Sequence, residues 1–303
     1  MEDLTRAFYE LAFENAFLRK RADEFQDFFC SIMEKRYPAD FIRVRPWGSI
    51  GDRKNDGYLR SRRMLFQSYA PNEMSAATCL AKIEEDFNGA LPHWKQFFDV
   101  WVFVHNSRDG LGPQVTARLL ELNRDHAPLR ATSWGFEELR QEAFQLLDVD
   151  LASLLGPAPS QRDMLDLGVA ELQPVLDQIG RLAAVADPDL RPVPPRKLEH
   201  NMLSSHVATL LKAGMSRADL VRRYFRAQTN QARHDEIAEA FRSKYRELQA
   251  RGVAPDDVFA ELQRFVGGTV IGTPSRQSAV LAVLSYFFEE CDIFERPAED
   301  GSA

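Results

Sequence analysis

The run Phe98-Asp-Val-Trp-Val-Phe-Val104 constrains the fold more than any other segment, because it is almost continuously apolar. A strand with one solvated face alternates polar and apolar side chains, whereas a strand covered on both faces is apolar along its length. We therefore place this run at the centre of a sheet that carries helices on both faces. The amino-terminal half of the chain is predicted to be an α/β domain.

Helix and strand signals alternate around this central strand. A long helical pattern over about residues 4–36, which can be broken once, precedes strand-like segments at 41–45 and 64–69. A helix over 76–88 leads into the central strand, and a helix, a short strand and a further helix follow it. This order of elements resembles that of the three-layer restriction-endonuclease-like fold, which is the fold class we expect.

Two oxygen-bearing side chains stand out between residues 48 and 69. Gly48-Ser-Ile-Gly51 and Asn55-Asp-Gly57 are turn signals, Asp56 lies in the second of them, and Gln67 lies within the apolar segment 64–69. A hairpin would bring Asp56 and Gln67 together as oxygen ligands for Mg²⁺ or Mn²⁺, which can activate water against a phosphodiester. The layout resembles the metal site of PD-(D/E)xK nucleases. The alternatives are that Asp56 only holds its turn and that Gln67 is a polar residue at a sheet edge.

The second strand departs from the nuclease pattern. The usual tripeptide is Glu-x-Lys, or Gln-x-Lys in some Mrr-like restriction enzymes, whereas this chain has Gln67-Ser-Tyr69. Tyrosine carries no positive charge at neutral pH, so Lys54 is the nearby substitute for the lysine. The predicted catalytic set is Asp56, Gln67, Tyr69 and Lys54, with core packing as the alternative role of Tyr69.

A carboxylate from the first helical segment often completes a site of this kind. Glu24 is predicted as the third metal ligand beside Asp56 and Gln67, Glu14 is the other candidate, and surface charge is the alternative for both glutamates. His105, which ends the central strand, is interpreted as a structural histidine.

The hairpin region is locally basic on an acidic chain. Residues 41–70 contain seven basic and two acidic side chains, whereas the whole chain has a formal net charge of −7. Such an island is typical of a surface that meets a polyanion, here DNA. The alternative is a solvated hairpin that is merely rich in arginine. The predicted phosphate-binding residues are Arg43, Arg45, Arg60, Arg62 and Arg63.

Composition limits the protein class. A chain of 303 residues with 45% apolar content can form two domains. Its three cysteines are widely spaced, which predicts buried thiols and not disulfides or a zinc site. No segment approaches the roughly 18 apolar residues of a membrane span, and Met1-Glu-Asp lacks the basic start of a signal peptide. We expect a cytoplasmic protein with no membrane partner.

Proline-rich segments divide the chain. Gly156-Pro-Ala-Pro-Ser160 is a break, and Asp187-Pro-Asp-Leu-Arg-Pro-Val-Pro-Pro195 reads as a stiff linker. The predicted division is a restriction-endonuclease-like domain over 1–150, a helical and proline-rich linker over 151–196, and an all-α partner-binding domain over 197–303. The last domain shows helical spacing throughout, including a helix over 198–213.

Two further blocks carry a family resemblance. These are Leu198-Glu-His-Asn201 and Tyr286-Phe-Phe-Glu-Glu-Cys-Asp-Ile-Phe-Glu295, which accompany Val44-Arg-Pro-Trp-Gly-Ser-Ile-Gly-Asp-Arg-Lys-Asn-Asp-Gly-Tyr58 and Leu65-Phe-Gln-Ser-Tyr-Ala-Pro71. Together they resemble the effector subunit of prokaryotic ABC three-component (ABC-3C) conflict systems. The resemblance implies an anti-phage or anti-plasmid role, an ABC-type ATPase and a small middle component as partners, and a helical carboxy-terminal domain.

Two hypotheses follow. The first is a Mg²⁺-dependent DNA endonuclease that acts as a defence effector under the control of its ATPase partners, with homo-oligomerisation possible. The second is a catalytically inactive, nuclease-like subunit that binds nucleic acid or scaffolds the ATPase assembly. Metal-dependent cleavage separates them.

Overall fold

A computed structural model describes residues 1–45, 52–180, 197–228, 232–267, 272–290 and 292–295. The chain packs into two compact units, one formed by residues 16–154 and the other by residues 1–15 together with 155–303. We call them the α/β unit and the helical unit. The predicted turn at Gly48–Gly51 lies outside the described residues.

The α/β unit contains a five-stranded mixed sheet whose strands lie in chain order across the sheet. The first two pairs of neighbouring strands are antiparallel and the last two are parallel. An α/β architecture in this half of the chain is therefore confirmed. The strands are β1 (Phe41–Arg43), β2 (Gly57–Leu59), β3 (Met64–Tyr69), β4 (Val100–His105) and β5 (Arg130–Trp134).

Helices cover both faces of this sheet. The predicted long first helix is broken once, between α1 and α2, and residues 16–19 of α1 belong to the α/β unit. The helices of this half are α1 (Asp3–Arg19), α2 (Ala22–Arg36), α3 (Ala76–Trp94), α4 (Pro113–Asp125), α5 (Phe136–Ala143) and α6 (Asp148–Leu155).

Side-chain alternation along β3 separates the two faces. Phe66 contacts Phe29 of α2 at 5.3 Å between ring centroids and Trp134 of β5 at 5.1 Å. Leu65 faces the other way, into a core cluster with residues of α3 and α4 that also contains Trp101. The central strand β4 is buried at five of its six positions, as the apolar run predicts.

The helical unit is built around one apolar helix. Besides residues 3–15 of α1, its helices are α7 (Gln161–Leu165), α8 (Val169–Gly180), α9 (Lys197–His200), α10 (Ser205–Met215), α11 (Ala218–Ala227), α12 (Ala232–Ala250), α13 (Pro255–Phe265) and α14 (Pro274–Glu289). In α14 every side chain from Gln277 to Phe288 is buried, which is typical of a helix surrounded by others. Helices α8, α10, α11 and α13 pack against it.

Two details differ from the sequence-based expectation in this half. The helix predicted over 198–213 is two helices, α9 and α10, separated at residues 201–204. The range 151–196, predicted as a helical and proline-rich linker, contains the end of α6 and the helices α7 and α8 in its described part. The apolar side chains of α8 are buried, with Leu172, Val175 and Leu176 fully inaccessible. Residues 155–180 thus belong to the packed helical unit.

Candidate functional site

Asp56 lies immediately before β2 and is only 2% exposed. Its carboxylate oxygen Oδ2 accepts hydrogen bonds from the backbone N–H of Ser68 at 2.6 Å and from the Ser68 hydroxyl at 2.5 Å. The other oxygen, Oδ1, accepts one from Nε2 of Gln26 at 2.8 Å. The carboxylate therefore joins the start of β2 to β3 and to α2.

The backbone of Asp56 is held as firmly as its side chain. Its N–H donates to the carbonyl oxygen of Phe66 at 2.9 Å, and its carbonyl oxygen accepts from the N–H of Val44 at 3.1 Å. The thiol of Cys30 in α2 lies 3.7 Å from the same carbonyl oxygen. Asp56 thus contacts both neighbouring strand segments and the helix that covers them.

Burial raises the pKa of Asp56 to about 6, because a charged carboxylate is poorly solvated there. The two hydrogen bonds from Ser68 oppose this shift, since they favour the ionised form. The negative charges of Asp52 and Asp86 add to it. Near neutral pH the group is close to its titration range.

Gln67 lies on the other face of β3. It shares that face with Leu65 and Tyr69, which pack against the cluster under α3 and α4, whereas Ser68 lies on the face of α2. The side-chain oxygen Oε1 of Gln67 is buried and has no hydrogen-bond partner among the residues that the structure describes. The structure therefore pairs Asp56 with Ser68 and Gln26, and does not join it to Gln67.

Among the described residues, the ammonium group of Lys54 contacts carboxylates of α3 and forms no ion pair with Asp56. This ammonium group contacts Glu85 and lies 3.2 Å from Oδ1 of Asp86, a fully buried residue of α3 that Lys82 also contacts at 2.9 Å. Hydrogen bonds to Glu85 and Asp86 raise the pKa of Lys54. The predicted substitute for the catalytic lysine is thus engaged by two carboxylates.

Tyr69, Glu24 and Glu14, the other residues predicted for the site, lie apart from the Asp56 carboxylate. The Tyr69 ring packs on Phe103 with centroids 5.8 Å apart. Glu24 is exposed in the first turn of α2, two positions from Gln26, so it projects from a different side of that helix. Glu14 lies in α1 within the helical unit.

These positions do not fit a Mg²⁺ or Mn²⁺ ion between Asp56, Gln67 and Glu24. Such a cation needs several oxygen ligands that converge at one point. Here the Asp56 oxygens already accept three protein hydrogen bonds, and the other two side chains lie elsewhere. Within the part of the chain that the structure describes, no three His, Cys, Asp or Glu side chains group together as metal ligands.

The predicted phosphate-binding arginines divide between the two ends of the β1–β2 hairpin. Arg43 lies opposite Gly57 in the register, whereas Arg60, Arg62 and Arg63 lie in the turn between β2 and β3. Arg45 follows β1 and is exposed. The basic island of the sequence is therefore not one surface patch.

Most of these arginines have acidic or carbonyl partners. Arg43 contacts Asp27, and Arg60 donates to the carbonyl oxygen of Ala39. Arg63 donates to Asp99 at 2.9 Å and to the carbonyl oxygen of Gln96 at 3.0 Å. Arg62 is the loosest, because its guanidinium lies over the Tyr37 ring at 5.4 Å and only 4.0 Å from Glu142.

Three residues of this region were missed by reasoning from sequence. Ser68 and Gln26 hold the Asp56 carboxylate, but their roles depend on contacts across 12 and 30 residues, which local patterns do not reveal. Asp86 had a visible signal, because Lys82 precedes it by one helical turn and such pairs interact on helices.

In the helical unit, the end of the described chain is fixed by α9. Lys197 is 2% exposed, and its ammonium group donates to the carbonyl oxygens of Phe288 and Ile293, each at 2.7 Å. The Asn201 side chain accepts from the N–H of Glu295 at 2.8 Å and donates to its carbonyl oxygen at 2.8 Å. Two segments about ninety residues apart are thus joined.

A comparison with protein-family models matches the region that contains Asn201 and Glu295. Residues 170–295 match the model of C-terminal domain 10 of the ABC-three component (ABC-3C) systems. This region is an ABC-3C C-terminal domain. A search of curated proteins and a search of solved structures each returned no match.

Both carboxy-terminal blocks that carried the resemblance lie within the ABC-3C domain. Its described helices α8, α10, α11 and α13 pack against the buried α14, and Asn201 joins the first block to the last. Among the residues that the structure describes, no helix is both long enough and apolar enough to cross a membrane. The match does not extend to the α/β unit.

Proposed function

We propose that this protein is a subunit of an ABC-3C anti-phage or anti-plasmid system whose α/β unit binds a ligand without hydrolysing phosphodiester bonds. The observation that carries this proposal is the arrangement around Asp56. Its carboxylate accepts hydrogen bonds from Ser68 and Gln26, while Gln67 lies on the opposite face of β3. In this proposal Asp56 stabilises the fold and is not a metal ligand.

The ABC-3C domain supplies the second part of the proposal. Its family assignment supports association with the other components of such a system, which we take to be an ABC-type ATPase and a small middle component. The protein would then join the α/β unit to the ATPase assembly, either as a monomer or as a homo-oligomer.

A metal-dependent DNA endonuclease is the second candidate. It is favoured by one observation, the buried Oε1 atom of Gln67, which has no partner within the described part of the chain although buried polar atoms almost always have one. In this candidate the carboxylate of Asp56 would have to exchange its hydrogen bonds with Ser68 for a cation. The same experiment distinguishes the two functions.

The test is plasmid cleavage in Mg²⁺ or Mn²⁺ by the purified chain, alone and together with its ATPase and middle component. Asp56→Asn removes the charge and retains the shape, and Asp125→Asn is the matched control on the exposed surface of α4. We expect equal, background cleavage by all three proteins. Cleavage that requires the metal, is abolished by EDTA and is lost only in Asp56→Asn would overturn the proposal in favour of the nuclease.

The partner assignment has its own test. The tagged full-length chain is co-expressed with the ATPase and the middle component, and the purified assembly is sized by light scattering. We expect both components to remain with the chain in a defined stoichiometry. If neither is retained by the wild-type protein, the role in joining the ATPase assembly is wrong.

A further inference from the structure

A half-open groove of about 580 Å³ lies at the end of the sheet where β4 and β5 begin. This size falls within the roughly 300–1,000 Å³ of typical ligand sites. The groove lies wholly within the α/β unit and away from Asp56. We call it the β5 groove; its lining residues include Arg62, Met64, Val100, Leu120, Asn123, Arg130, Thr132 and Ser133.

The polar side of the β5 groove is cationic. None of its described lining residues is acidic. The Arg130 guanidinium forms no hydrogen bond or ion pair with any residue that the structure describes, and the hydroxyls of Thr132 and Ser133 also have no such partner. Arginine presents a planar fork of donors that matches phosphate geometry. This part of the groove therefore offers several free donors to an anion.

Arg62 adds a second positive charge from the turn between β2 and β3. Its nearest carboxylate, Glu142, is at 4.0 Å, the limit of an ion pair, and its guanidinium rests on Tyr37. It differs in this respect from Arg43 and Arg63, which contact Asp27 and Asp99 closely. Arg62 can accordingly turn toward an anion at a lower cost than those two arginines.

The remaining lining is apolar. Met64 and Val100 lie side by side in the register of β3 and β4, and Arg130 lies beside Val100 in β5. Leu120 of α4 is 64% exposed although it is a large apolar residue. The groove thus presents apolar surface next to a cationic end, so it suits a ligand with an apolar ring and an anionic group.

We propose that the β5 groove binds a nucleoside phosphate, with the phosphate at Arg130 and Arg62 and the base against Met64 and Val100, while Leu120 borders the groove from α4. The ligand is either a free nucleotide or one nucleotide of a single strand. This inference deepens the proposed function, because it rests on a unit that binds without cutting, and it identifies what is bound. It differs from the set of arginines that the sequence indicated, since only Arg62 belongs to both.

Fluorescence anisotropy of a short fluorescein-labelled oligodeoxythymidine tests this site in the full-length protein. Unlabelled oligonucleotide, adenosine 5′-monophosphate and inorganic phosphate serve as competitors. All measurements are made in EDTA, so that binding is read independently of any cleavage. Direct binding of a fluorescent adenosine monophosphate analogue is measured in parallel.

Two pairs of variants are matched for chemistry. Arg130→Ala is compared with Arg124→Ala, an exposed arginine of α4 outside the groove. Leu120→Glu, which places a carboxylate in the groove, is compared with Leu147→Glu at another exposed leucine of the α/β unit. All four positions are exposed, so each variant is expected to fold.

We expect Arg130→Ala and Leu120→Glu to weaken binding by about tenfold or more, because each removes or opposes a charge-assisted contact. The control variants should bind as the wild type does.

The competitors identify the source of the nucleotide. Binding of the monophosphate but not the oligonucleotide would support a free nucleotide, whereas the reverse result would support a strand. The proposal is overturned if neither binds, if Arg130→Ala and Leu120→Glu bind as their controls do, or if inorganic phosphate competes as well as the monophosphate. If nucleotide binding fails this test, the proposal that the protein does not cut DNA still stands, because metal-dependent cleavage is measured in a separate experiment.

Discussion

Ser68 donates two hydrogen bonds, from its backbone N–H and its hydroxyl, to the same carboxylate oxygen of Asp56. This pairing places a buried acid at the junction of two strands and a helix, in the position where the sequence pattern predicts a metal ligand. Buried carboxylates are tolerated when hydrogen bonds satisfy them. The consequences of this pairing can be measured as a pH dependence of stability.

Asp56→Asn is expected to remove a pH-dependent contribution to the stability of the α/β unit. The pKa of Asp56 is raised by burial from 3.8 to about 6, so the protonated acid is favoured in the fold by about 3 kcal/mol. This contribution is fully present below pH 3.8 and is lost as pH rises through 6. The wild type should therefore gain stability relative to Asp56→Asn between pH 7 and 4.

Denaturant unfolding followed by tryptophan fluorescence measures this difference, because all four tryptophans lie within residues 16–154. In the variant, Oδ1 of the asparagine can accept from Ser68, and the amide of Gln26 can rotate to accept from Nδ2. We expect the two proteins to differ by no more than about 1 kcal/mol at pH 7. A difference that stays constant from pH 7 to 4 would show that the pKa of Asp56 is not raised.

His105→Asn is expected to produce the opposite pH dependence. His105 is buried, and its Nδ1 atom accepts the N–H of Ser107 at 3.2 Å. Burial lowers the pKa of His105 to about 4, so its neutral form stabilises the fold above pH 6.5 and this contribution is lost as pH falls toward 4. Relative to His105→Asn, whose Oδ1 can accept the same N–H, the wild type should lose stability over that interval.

The same fluorescence experiment reads this second effect. In the wild type, protonation of Asp56 raises the stability and protonation of His105 lowers it as pH falls from 6 to 4. Each single variant should therefore show the pH dependence that the remaining residue causes. The double variant should be the least sensitive to pH in this interval. If His105→Asn leaves the slope of the wild type unchanged, burial does not lower the pKa of His105.

Local patterns predicted the elements of the α/β unit better than they predicted its contacts. The apolar run over 98–104 predicted the buried strand β4, which covers residues 100–105. The helix predicted from residue 76 begins there as α3, and Ser75 caps it by accepting from the N–H of Thr78 at 3.2 Å. The face of Gln67 could not be predicted, because it depends on the register of β2, and a shift of one residue moves each side chain to the other face. The predicted pairing of Asp56 with Gln67 as metal ligands depended on that register.

The helical unit shows a second limit of sequence reasoning. Residues 198–213 have the spacing of one helix, but the chain turns at Met202, which adopts a positive φ of 51°. The side chain of Asn201 forms two hydrogen bonds with the backbone of Glu295. Ser204 caps the start of α10, where its hydroxyl accepts from the N–H of Val207. Ser204 is a local signal for the start of α10, because serine is a common N-cap. The contact of Asn201 with Glu295, 94 residues away, has no such local signal.

Gly214→Ala is expected to destabilise the ABC-3C domain although alanine favours helices. A Cβ atom at Gly214 of α10 would lie 2.1 Å from Oγ of Ser285 and 2.3 Å from the backbone carbonyl oxygen of Leu281 in α14. The helices would have to separate, which costs on the order of 3 kcal/mol. Hydrogen exchange of peptides from α10 and α14 should increase.

The control for this change is Lys212→Ala, two residues earlier in α10 at an exposed position. It alters helix composition without approaching α14, so its exchange should equal that of the wild type. Protection in Gly214→Ala as high as in this control would mean that α10 and α14 are not in close contact.

Lys197→Met is expected to release the end of the ABC-3C domain. Methionine keeps the length and apolar stem of lysine but cannot donate to the carbonyl oxygens of Phe288 and Ile293. Hydrogen bonds from charged groups contribute about 1.5–3 kcal/mol each, so the change should be severe. Limited proteolysis should then cut near residues 292–295 faster than in the wild type.

Lys212→Met, on the exposed face of α10, is the matched control and should be cut at the wild-type rate. If Lys197→Met resists proteolysis as this control does, the aromatic contacts of Phe294 with Tyr245 and Phe288 hold the segment without the lysine.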